Sequence, residues 1–125
     1  MAENYSEAAI RHFQDSELLA KASRWDNAGH LIGFAAECAV KYRLQTLRPS
    51  AAVPHGHFPV LINIAKKHFN GRRDSALHAI LKTTALMQSW DVNDRYAGNA
   101  FIGKPQYELW RRHASRLMSA AGLKR

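Results

Sequence analysis

His30-Leu-Ile-Gly-Phe-Ala-Ala-Glu-Cys-Ala-Val-Lys41 decides the fold class of this chain. Apolar residues recur through it at helical spacing, with Leu31, Phe34, Ala35, Cys38 and, just beyond, Tyr42 along one stripe. Gly33, Ala36 and Ala39 border that stripe, and such small side chains permit the close approach of the preceding helix. Glu37 is the exception. A carboxylate set among Phe34, Ala35, Ala36, Cys38 and Ala39 is costly to bury without a partner. The cations that can answer it are Lys41 one turn on, Arg11 from the preceding segment, and Arg95 from far along the chain.

Outward from this stretch, Asp26 is the expected cap of a helix running from Asn27 to about Leu47. Upstream, a helix is expected from about Ser6, as N-cap, to about Ala22, with Ala9, Phe13, Ser16 and Ala20 on one face. The break from Ser23 to Asp26 is short, so these two helices should form an antiparallel hairpin. Downstream, Arg48 to His57 contains two prolines and a glycine and reads as a loop. A third helix starts near Pro59 and carries Val60, Ile64, Ala65 and Phe69 up to a stop at Asn70-Gly71. A fourth, capped by Asp74 or Ser75, is expected to carry Leu77, Leu81, Ala85 and Met87 to Trp90 before Asp91 to Gly98 breaks the pattern. Pro105 opens the last helix, whose stripe is Trp110, Ala114, Leu117 and Ala121, and Gly122 ends it. No stretch sustains strand alternation. The expectation is an all-α domain over residues 1–125, an up-and-down bundle of four to five helices with its core at about 6–121.

Composition narrows the classes. At 125 residues and 46% hydrophobic content the chain has material for one core. It carries no signal-peptide run and no stretch of about eighteen apolar residues, which points to a cytoplasmic protein without a membrane partner. A lone cysteine, Cys38, excludes an intrachain disulfide and a Cys-based zinc site. Lys and Arg number 18 against 10 Asp and Glu, and the resulting charge of +8 favours polyanions, nucleic acid first. The excess is spread along the chain. Its densest helical run is Arg111, Arg112 and Arg116 around His113, which with Arg72 makes the candidate nucleic-acid-binding set.

The pattern Phe34-Ala-Ala-Glu-Cys38 with Lys41 resembles the corresponding helix of prokaryotic HEPN domains. Two later landmarks stand in the order that family shows. They are a loop opening on histidine before a short helix, His55-Gly-His-Phe-Pro-Val-Leu61, and Trp-x-x-x-x-Arg-Tyr at Trp90 to Tyr96. The resemblance spans roughly residues 6 to 120 and rests on order and spacing. It implies a helical bundle; beside it, the physical reading of the residues makes Glu37, with Lys41 or Arg95, a fold-fixing ion pair and Trp90 a core anchor. The resemblance also implies a homodimer that acts on RNA or a nucleotide, or that docks a nucleotidyltransferase or antitoxin encoded beside it.

Many members of that family are metal-independent ribonucleases that use an Arg, four to six residues, then His, often with a polar residue after the Arg. Arg73-Asp74-Ser-Ala-Leu-His78 has this form. The chemistry needs a cation for the scissile phosphate and an imidazole to move protons between the 2′-hydroxyl and the leaving oxygen. Five positions leave the two side chains about 140° apart at ~100° per residue, so they share no ideal helix face. The pair works if Arg73 lies at the helix start or if a dimer unites two copies. Arg24 to His30, Arg48 to His55 and Arg72 to His78 match the same spacing, and only Arg73 to His78 has the preferred polar second residue. His55 and His57 are close enough in sequence for a metal, but no Cys or carboxylate nearby completes a shell, so neither metal nor cofactor is expected. Three functions remain open: a metal-independent endoribonuclease toxin acting through Arg73, Asp74 and His78, a catalytically silent module that binds RNA, a nucleotide or a partner protein, or a purely structural dimerisation domain.

Overall fold

The computed structural model describes residues 3–47, 52–53, 56–69, 72, 74–83 and 85–124, which form five α-helices and one 3-10 helix, with no strand among them. The helices are α1 (Tyr5–Lys21), α2 (Trp25–Leu47), α3 (Val60–His68), α4 (Ser75–Leu81) and α5 (Lys104–Ala120), and the 3-10 helix is Val92–Tyr96. The expected all-α architecture is therefore present. None of these helices is long and apolar enough to cross a membrane.

Long α2 is the axis of the molecule, packed against α1 on one side and α5 on another. Being covered from several directions, it does not bury the single stripe expected of it. Ala28, Gly29, His30, Ile32, Gly33, Ala35, Ala36, Glu37, Ala39, Val40 and Leu44 are buried, whereas Leu31, Phe34, Cys38 and Tyr42 are only half-buried. The small residues lie deepest because large rings press onto them. A Cβ at Gly33 would stand 1.9 Å from the Trp90 indole, and one at Gly29 would stand 2.9 Å from Ile102 and 3.1 Å from Trp110. It is thus the 90–110 region, as well as α1, that exploits these positions. The Trp90 indole N–H donates to the carbonyl of Gly29 at 3.0 Å, which satisfies the polar atom that accompanies this buried ring.

The helix ends differ from expectation in instructive ways. Asn4, rather than Ser6, caps α1: its side-chain oxygen accepts from the Glu7 amide at 3.1 Å. Asp26 lies inside the first turn of α2 and caps nothing there. Its carboxylate accepts instead from the amides of Ala100 and Ile102, both at 2.8 Å, and so ties the loop before α5 to the α1–α2 turn. That turn is a Schellman closure. Ser23 adopts φ 58°, its amide donates to Ala20 and the Arg24 amide donates to Leu19. The end of α5 closes in the same way through Gly122 at φ 83°, as its glycine predicts.

The fourth helix stops at Leu81, not near Trp90. The segment 85–90 is a run of turns in which Met87 and Ser89 take positive φ. Side chains of α5 hold it: His113 Nδ1 accepts from the Met87 amide at 3.0 Å, and the Trp110 indole donates to the Gln88 carbonyl at 2.9 Å. Tertiary hydrogen bonds replace the helical ones that the apolar periodicity of this stretch suggests.

Candidate functional site

Arg73, the cation of the preferred motif, lies outside the described residues, as do His55, Arg48 and the Asn70-Gly71 stop. Its companions are placed. Asp74 stands at the N-cap position of α4 without a capping bond. Its side chain is 1% exposed, and Oδ1 receives the Arg43 guanidinium at 2.9 Å. A carboxylate so engaged joins α2 to α4, a structural task. His78 is half-buried on α4.

The expected ion pair of Glu37 is corrected. Among the described residues no ion pair joins Glu37 to Lys41 or Arg95. The buried carboxylate instead accepts from the Phe58 amide at 2.7 Å and faces His57 Nδ1 at 2.9 Å, with Lys41 contributing only at longer range. Burial pushes the Glu37 carboxyl up, and these donors pull it back. His57 thereby braces the loop before α3 against α2. Among the described residues no group of three or more His, Cys, Asp or Glu is disposed to hold a metal ion. The Cys38 thiol, pushed up to about 11 by burial, is a poor nucleophile.

The basic set on α5 also divides. Arg111 is committed, with Glu17 at 2.8 Å and its guanidinium 5.4 Å over the Phe13 ring. Arg112 and Arg116 are exposed one turn apart, and Arg72 is exposed ahead of α4. His113, expected among them at the surface, is buried and serves the 85–90 turns.

What the tertiary structure assembles is elsewhere. A cavity of about 590 Å³ opens between the α1–α2 turn, the first turns of α2, and the chain from Asp94 to Gly103. Arg24, Asp26, His30, Asp94 and Arg95 line it. Arg24 is put there by the Schellman closure, and Arg95 by the 3-10 helix that follows the Trp90 anchor. His30 is 8% exposed, stacked on Trp90 at 5.6 Å and edge-on to Phe34 at 4.8 Å. Neither of its ring nitrogens has a hydrogen-bond partner among the described residues, and the same holds for Asp94 Oδ2. Each such buried unpaired group costs about 1–3 kcal/mol.

Burial, reinforced by Arg95 and opposed by Asp94, holds the His30 imidazole below its ordinary value, so it is neutral at neutral pH. Burial, with Asp91 adding repulsion, pushes the Asp94 carboxyl up. Asp26 accepts from two backbone amides, and both it and Asp94 share the cavity with Arg24 and Arg95.

Arg24 and His30 have the Arg-x(5)-His spacing and line one cavity with Arg95, although the sequence gives them no preferred polar second residue. The signal for this grouping was weak, because Arg95 is separated from them by most of the chain. Comparison with family models, with curated proteins and with solved structures finds no match to this chain.

Proposed function

We propose that this protein is a HEPN-type, RNA-directed protein and that the Arg24–His30–Arg95 cavity binds and cuts the phosphodiester without a metal. The observation that carries the reading is a buried imidazole whose two ring nitrogens have no hydrogen-bond partner among the described residues, in a cavity that two arginines also line. Such unpaired groups are retained at cost, and catalysis is one of the roles that retains them.

In the proposed reaction, His30 takes the proton of the 2′-hydroxyl as its oxygen attacks the adjacent phosphorus, while Arg24 and Arg95 carry the charge on the non-bridging oxygens. The bond from phosphorus to the 5′-oxygen breaks, and that oxygen receives a proton from the imidazolium. The products are a 2′,3′-cyclic phosphate and a 5′-hydroxyl. The His30 nitrogens are covered, so substrate reaches them only when the side chains around the ring shift. The same cover favours one second reading, a silent module that binds RNA at this cavity and leaves it intact. Assembly as a homodimer, association with a nucleotidyltransferase or antitoxin, and a cytoplasmic location belong to the same proposal and rest on the resemblance.

Incubation of the purified protein with single-stranded RNA in excess chelator tests it. Cyclic-phosphate ends should appear, His30→Ala and Arg95→Ala should each lower the rate at least about 100-fold, and His78→Ala should leave it within about twofold. RNA bound but uncut points to the silent module. Cleavage that depends on His78 and not His30 returns the chemistry to α4 and overturns this assignment.

A further inference from the structure

Four large apolar side chains are exposed among the described residues: Leu18 at 64%, Val60 at 58%, Tyr96 at 76% and Phe101 at 62%. The two aromatic ones both belong to the chain that walls the cavity, each beside residues that line it. Their exposure is not the looseness of a free loop. Asp26 fixes the amides on either side of Phe101, those of Ala100 and Ile102, at 2.8 Å each, and Ile102 is buried near Gly29 and Trp110. The pinned backbone therefore holds the Phe101 ring at the surface, where it forgoes the favourable free energy that burial of such a side chain returns. On the other flank, the Arg95 guanidinium lies 4.8 Å from the Tyr96 ring centroid, so a planar cation and an open aromatic ring adjoin.

We infer that Tyr96 and Phe101, with Arg95, form a stacking platform for unpaired nucleobases at the rim of the cavity, which selects single-stranded RNA. This rests on the polyanion reading of the cavity and adds the substrate class to it. Exposed aromatic rings beside arginines are the arrangement by which single strands are held, the rings taking base faces and the cations the backbone. Paired bases keep their faces inside the duplex and cannot use the platform. Trp25 lines both this cavity and a second hollow of about 490 Å³, whose charged lining is mixed, Lys21 and Arg112 with Glu17 and Glu108.

Fluorescence anisotropy on the full chain tests the platform with three probes: a labelled oligoadenylate, the same strand paired with oligouridylate, and inorganic polyphosphate as competitor. The single strand should bind at least about tenfold more tightly than the duplex. Tyr96→Ala and Phe101→Ala should each weaken it roughly 5- to 100-fold, with Tyr96→Trp and Phe101→Tyr restoring it. Competition by polyphosphate should stay within about twofold in all variants. Both positions are exposed, so the variants should fold, which circular dichroism checks. If the single strand and polyphosphate bind but the alanine variants match the parent, the platform is refuted while the cavity reading stands. If no polyanion binds, both fall. If the variants change only the sedimentation coefficient, the rings belong to a protein contact and the platform is overturned.

Discussion

His30 and His113 are both buried on long helices, yet they are used in opposite ways. His113 has a task visible in its bonds: Nδ1 accepts from the Met87 amide, which requires the neutral ring, and burial together with Arg116 and Arg112 holds its pKa down. His30 has a lowered pKa and no bond at all among the described residues. The half-buried ring of His12 is lowered as well, mainly by burial. For all three the native pKa lies below the ordinary value of 6.5, so the unfolded chain binds more protons between those limits. The contribution of these three rings to the unfolding free energy then rises with pH there, opposite in sign to that of the raised Glu37 and Asp94 carboxyls. The contribution of the rings is complete above 6.5 and is lost as pH falls through that value toward the native ones. Urea midpoints measured from neutral pH down to about 5 should decline, and His113→Asn, which keeps an acceptor but does not titrate, should flatten the decline. An unchanged slope in that variant would show that His113 binds protons equally in the native and unfolded states, against the lowered native pKa.

At the scale of the element, α2 is a helix whose value lies in what it lacks. Gly33 admits the Trp90 indole to 1.9 Å from where a Cβ would stand, and that ring is in turn hydrogen-bonded to Gly29 and stacked on His30. Helix propensity favours alanine at this position, but packing wins because neither the helix backbone nor the wedged ring can yield. Gly33→Ala should cost about 3 kcal/mol, the upper part of the range for overpacking, read from denaturant unfolding. Adding Trp90→Leu should recover part of that loss, and simple additivity of the two changes would refute direct contact as the cause. Register also explains the shortened α4. An apolar period cannot reveal that His113 and Trp110 supply bonds to the 85–90 turns, so the sequence reads as more helix than the fold contains.

At the scale of the molecule, the charge of +8 is divided between committed and available cations. Arg43 and Arg111 are held by Asp74 and Glu17, and Arg24 and Arg95 line the cavity. If RNA phosphates are neutralised there, Arg24→Gln with Arg95→Gln should reduce the slope of log affinity against log salt by about 1.4, two phosphates at ~0.7 each. Arg111→Gln should change that slope far less, and titrations at several salt concentrations decide. Equal effects from all three positions would mean that binding is diffuse.

The all-α class, the five helices, the core stripe of α5, the Gly122 stop and the anchoring of Trp90 were legible in the sequence, because periodicity and caps are local properties of neighbouring residues. The partner of Glu37, the real duties of Asp26 and Asp74, and the gathering of Arg24, His30 and Arg95 around one cavity were decided only by tertiary structure. Those contacts join residues far apart in the chain, and which buried polar group finds a partner depends on how the helices pack.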